Sequence, residues 1–122
     1  MSERSWSLTI PQAAKWLNAN DTTQARFRAA AIREWRKAAH WAAKAERLPH
    51  LHRAHIIATL HFTDRRRRDS GNYYPTLKAI VDGLVDHGLL DDDSHQYLIG
   101  PDVRMGEPMT PSRVQLYIRE VT

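Results

Sequence analysis

The chain contains no cysteine among its 122 residues. That rules out disulfides and thiolate metal sites, and it fits a reducing compartment. No apolar run approaches the roughly 20 residues of a membrane span. The first residues, Met1-Ser2-Glu3-Arg4-Ser5, hold no hydrophobic signal core, so a cytoplasmic location without a membrane partner is expected. There is no P-loop, no nucleophile elbow and no glycine-rich dinucleotide fingerprint. Internal repeats and low-complexity tails are absent too. The length suits one domain, residues 1–122, with a real hydrophobic core.

What is present is charge, unevenly spread. The net charge is +4. Residues 1–68 hold 14 Lys and Arg against 5 Asp and Glu, while residues 69–122 hold 4 against 9. A basic half and an acidic half suggest a surface that holds nucleic acid beside an acidic metal site.

The stretch from Thr63 to Asp93 concentrates both signs. Arg65, Arg66, Arg67 and Arg68 run directly into Asp69, a Ser70-Gly71-Asn72 turn follows, and Asp91, Asp92 and Asp93 close the stretch. Each guanidinium is a permanently charged planar fork suited to phosphate. Clustered carboxylates suit hard divalent cations such as Mg2+, and three adjacent ones repel until a cation relieves them. Together these groups are what metal-assisted phosphodiester cleavage needs. Between them Leu77, Ile80, Val81, Leu84 and Val85 follow the i, i+3, i+4, i+7, i+8 spacing of an amphipathic helix. Pro75 fits its first turn and Gly88 its stop. Lys78 and Asp82 share a face off the apolar stripe. The helix therefore joins the Asp69 turn to the aspartate cluster.

The run R-R-R-R-D-S-G-N, then Lys78-Ala79-Ile80-Val81-Asp82-Gly83-Leu84, then Gly88-Leu89-Leu90-Asp91-Asp92-Asp93, resembles the RusA family of Holliday junction resolvases. It is most similar to the versions carried by bacteriophages and prophages of actinobacteria. The motif match covers about residues 63–100. The resemblance implies a homodimeric, Mg2+-dependent endonuclease, with Mn2+ as a substitute metal, that cuts four-way DNA junctions in recombination and repair. The family's acidic site would fall on Asp69, the Gly71 position and the Asp92-Asp93 pair. Lys78 matches a lysine of the site region, and Asp82 the aspartate that follows it. The family usually writes D-x-D-N where this chain writes Asp69-Ser70-Gly71-Asn72, so one carboxylate is missing.

On this reading Asp69 and Asp93 are the expected metal ligands, with Asp92 a ligand or an outer partner. Asn72 is expected to orient water or the Asp69 carboxylate, and Lys78 to neutralise charge developing on phosphate. Asp82 is expected either to pair with Lys78, supporting the site from behind the metal ligands, or to touch the metal itself. A DNA- or junction-binding protein with impaired cleavage is the alternative, because Gly71 supplies no acid.

The rest of the chain predicts an α+β fold, a mixed four-stranded sheet with one long and one shorter helix packed on it. Trp6, Leu8 and Ile10 alternate with polar residues as a first strand, and Asn18-Ala19-Asn20-Asp21 reads as a loop or helix cap; it also resembles the asparagine-containing loop after the family's first strand, which implies a contact to the DNA backbone. The long helix is expected from about Thr22 to Arg47, capped by Asp21 or Thr22. Its apolar side is Phe27, Ala31, Trp35, Ala38, Ala42 and Ala45. A basic ridge of Arg26, Arg33, Lys37, His40 and Lys44 lies elsewhere, suited to a DNA backbone. His52 to Phe62 reads as a second strand. His55 and His61 share one of its faces but stand roughly 20 Å apart, too far for one zinc ion. His95–Ile99 reads as a short strand broken by Gly100-Pro101, residues 101–111 as a loop, and Arg113–Arg119 as the last strand.

Overall fold

The computed structural model describes residues 3–22 and 24–122. Met1, Ser2 and Thr23, parts of the N-terminal run and of the expected start of the long helix, lie outside the described residues.

Period-two alternation builds the strands. β1 (Ser5–Pro11) buries Leu8 and Ile10; β2 (Ala54–His61) buries Ala54, Ile56, Ala58 and Leu60; β4 (Arg113–Glu120) buries Val114, Leu116 and Ile118. β3 spans Leu98–Met105. The sheet order is β1-β4-β2-β3. β2 and β3 run parallel, whereas β4 is antiparallel to both β1 and β2. Helices α1 (Ala25–Ala45) and α2 (Tyr74–His87) contribute to the same core as all four strands. The expected α+β class and mixed four-stranded sheet are what the structure has. Neither helix is long and apolar enough to cross a membrane.

The third strand differs from expectation. His95–Tyr97 form a turn, and the chain pairs from Leu98 straight through Gly100-Pro101 to Met105. Two features permit this. β3 is an edge strand, where a proline's missing donor is tolerated, and the β2–β3 register shifts between His55 and Ile57. Gly100 has φ +98°, and a Cβ there would sit 2.6 Å from the Ile56 carbonyl oxygen. Only glycine meets both conditions.

The long helix also differs in detail. It begins at Ala25, with Gln24 at the N-cap position making no side-chain cap bond. The expected Asp21 or Thr22 cap is therefore not used. Its buried stripe is Ala31, Trp35, Ala39 and Ala43, and Phe27 is 53 % exposed. The expected set follows the helix axis at a mean spacing near 3.6. The observed row steps by four and follows the i±4 ridge that meets a crossing helix. The crossing helix is α2. A Cβ on Gly83 would lie 2.1 Å from the Arg36 carbonyl oxygen and 2.9 Å from the Ala39 Cβ, so the two backbones touch there. Arg36 locks the pair from outside by donating to both Asp86 oxygens, at 2.6 and 2.7 Å.

Candidate active site

The site is built at the two ends of α2. Upstream, Asp69 occupies the N-cap of a single 3-10 turn, Ser70–Tyr73, where its Oδ1 accepts from the Gly71 N–H at 3.0 Å. Asn72 donates its N–H to the Asp69 carbonyl. α2 starts at once, with Pro75 in its first turn, and ends on Gly88 at φ +99°. Downstream, the chain turns back. Leu89 and Leu90 are buried, and Asp93 reaches Lys78, in the second turn of α2, although the two stand fifteen positions apart in sequence.

Lys78 is the hub. Its ammonium donates to Asp93 Oδ2 at 2.6 Å and to Asp82 Oδ1 at 2.7 Å. The two carboxylates, Asp82's contact first, raise the Lys78 pKa above the usual lysine value. In return the Lys78 ammonium holds the Asp93 carboxyl below the usual carboxylate range. Asp92 Oδ1 accepts from the Asp93 N–H at 2.8 Å, and Asp91 accepts from His50 Nε2–H at 2.9 Å.

Lys78, Asp82 and Asp86 repeat every four residues, so they line one face of α2. Arg36 pairs with Asp86 and also feels Asp82. A continuous charged row therefore links the Asp93–Lys78 contact to α1. Beyond it, Arg33, Lys37 and His40 border a shallow groove shared with Arg36 and Asp86. His40 Nδ1 is buried there and has no hydrogen-bond partner among the described residues. Lys44, the last member of the expected ridge, lies over the Trp41 ring.

The four arginines are not equivalent. Arg68 turns inward: its side chain is 11 % exposed, it pairs with Asp64 at 2.9 Å, and its guanidinium lies 4.0 Å over the Phe62 ring. Arg65 pairs with Glu107 at 2.9 Å. Arg66 has only a loose contact with Asp64 at 3.9 Å, and Arg67 is exposed and makes no ion pair among the described residues. Arg66 and Arg67 are the pair most available to an outside anion.

Sequence reasoning missed the clamp that holds the Asp69 turn. Buried Thr76 accepts from the Leu17 N–H at 2.8 Å and donates to the Leu17 carbonyl at 2.9 Å, while the Ala19 N–H donates to the Asn72 carbonyl at 2.7 Å. The Asn18–Asp21 loop thus packs against the turn. Behind it Trp16 packs at a tilt against Trp35 and Phe62 and edge-on against Tyr73. A threonine in the first turn of α2 was the available signal.

The expected ligands are chemically suited to Mg2+, since all are carboxylate oxygens. Asp82 and Asp93 already converge on one positive centre. Asp69 instead accepts from the Gly71 N–H of its own turn and Asp92 from the Asp93 N–H, and no three Asp, Glu or His side chains among the described residues form a ready metal cage. The histidines take separate partners: His55 with Asp102, His61 with the Glu107 carbonyl, and His87 with the Leu48 carbonyl.

No protein-family model matches the chain, and no match to a curated protein is found either. The likeness to the resolvases thus rests on the motif between residues 63 and 100 alone.

Proposed function

We propose that this protein is a Mg2+-dependent endonuclease that nicks branched DNA, four-way junctions in particular. The observation that carries the reading is the Asp82–Lys78–Asp93 convergence on α2, the helix that follows the Asp69-capped turn, with Arg66 and Arg67 exposed just upstream of that turn. A bound Mg2+ supplies an activated water and a charge clamp on the scissile phosphate. Asp69, Asp92 and Asp93 would hold it, and Asp82 would orient Lys78. Lys78 would neutralise charge that builds on phosphate, a role that suits an ammonium kept protonated by Asp82 and Asp93. Arg66, Arg67 and the α1 residues Arg33, Lys37 and Lys44 would bind backbone phosphates. Two matched nicks require two sites related by symmetry, so the working form is a homodimer.

Gly71 and the engagement of Lys78 between two carboxylates favour a second reading, a junction-binding protein with weak cleavage. Incubating the protein with a labelled four-way junction, in Mg2+ and in EDTA, separates the two. Nicking in Mg2+ supports the first reading. Tight binding without nicking at any Mg2+ or Mn2+ concentration supports the second.

A further inference from the structure

A cavity of about 240 Å3 opens where the parallel strands β2 and β3 both end, walled by Phe62, Met105 and Pro108 and bordered by Asp64, Arg65 and Glu107. Its volume lies below the roughly 300–1,000 Å3 of drug-sized sites, which suits one planar heterocycle rather than a base pair. One side of the wall is rigid: the Phe62 ring is held between the Arg68 guanidinium, Trp16 and Tyr73. The other side is adaptable, since Met105 is 43 % exposed and a thioether conforms to an aromatic face.

The polar rim has a defined pattern. Arg65 Nη2 donates to Glu107 Oε2 at 2.9 Å, with side chains 75 % and 78 % exposed. So exposed a pair is worth little to the fold and is easily rearranged. It sets donors beside two acceptor oxygens. An unpaired base shows its Watson–Crick edge. Guanine's edge is one acceptor, O6, followed by two N–H donors, which complements Arg65 and the Glu107 carboxylate. Thymine's edge has one N–H between two carbonyls and sets an oxygen against the carboxylate.

We propose that this cavity is a subsite for an unpaired nucleobase, guanine best and thymine worst, recognised by Arg65 and Glu107 against the Phe62–Met105 wall. Arg66, also on the rim, is three residues from Asp69, at most about 10–11 Å of chain. The base seated here therefore fixes which phosphodiester lies beside Asp69. The proposal rests on the nuclease reading only for that consequence; base recognition stands or falls without metal.

The experiment measures fluorescence anisotropy in EDTA. The probes are short oligothymidylates with one central dG, dT or abasic site, each assayed with the parent protein and with Glu107→Gln. The parent is expected to prefer dG over dT and the abasic site on the order of tenfold, the size of one good bidentate base contact. Glu107→Gln is expected to erase that preference without weakening binding to the dT strand. Equal affinity of the parent for all three strands overturns the subsite and leaves DNA binding intact. A dG preference that survives Glu107→Gln overturns it as well. Failure to bind any strand, or a junction, overturns both the subsite and the nuclease reading.

Discussion

Gly71→Asp restores the carboxylate that the D-x-D-N pattern would place two residues after Asp69. The turn admits it. The positive-φ glycines are Gly88 and Gly100, so position 71 needs no left-handed backbone. A Cβ there meets Asp69 Oδ1 at 3.5 Å, an ordinary contact. The cost is electrostatic. Two exposed carboxylates about 4 Å apart repel by about 1 kcal/mol in bulk water and by a few kcal/mol at intermediate dielectric. Both positions are exposed, so the lower figure applies. Loss of glycine's unfolded-state freedom offsets roughly 0.4–1 kcal/mol of it. The metal-free variant should therefore melt close to the parent. If the proposed metal site is right, the added oxygens would become Mg2+ ligands, and the half-saturating Mg2+ concentration should fall on the order of tenfold, about 1.4 kcal/mol. Two titrations check this: nicking rate against Mg2+, and melting temperature against Mg2+. A folded variant that needs as much Mg2+ as the parent, with no larger Mg2+-induced rise in Tm, removes position 71 from the metal site.

Three further outcomes follow from the same geometry. Gly83→Ala should destabilise by about 1–3 kcal/mol by forcing α1 and α2 apart, seen as a drop of several degrees in Tm; an unchanged Tm would mean the helices do not touch there. Arg66→Ala with Arg67→Ala should weaken junction binding for every junction sequence and flatten its salt dependence; an unaltered salt slope takes this pair out of the interface. Asp93 and Asp86 are held below the usual carboxylate range by Lys78 and Arg36. Their contribution is full above the unfolded value near ~3.9 and is lost as pH falls through their lower folded values. Stability should thus hold from neutrality to about pH 5 and decline below about pH 4, and Asp86→Asn should reduce that acid slope in a pH series of melts.

How much of this was legible depended on the range of the interaction. α2 could be read from its stripe, its Pro75 start and its Gly88 stop, because local periodicity and capping fix it. The pairing of Lys78 with Asp82 follows from helix spacing. Its pairing with Asp93 does not, because it needs the chain to double back over buried Leu89 and Leu90. β3 was misread because Pro101 normally breaks a strand, and the register shift that accommodates it involves residues 55–57 of β2, far upstream in the chain. The α1 stripe was misplaced because its tilt is set by where Gly83 meets Arg36, a fact about two helices. Arg68 looked like its three neighbours in the run, yet Phe62 and Asp64 draw it inward.

The central claim is that Asp93 belongs to a site that cuts DNA. The direct measurement is nicking of a four-way junction in Mg2+ by the parent and by Asp93→Asn, with junction affinity measured in EDTA for both. Asp93→Asn keeps the side-chain shape, so the account predicts a loss of nicking on the order of 100-fold or more with affinity retained or improved. Equal nicking by the two proteins would contradict it.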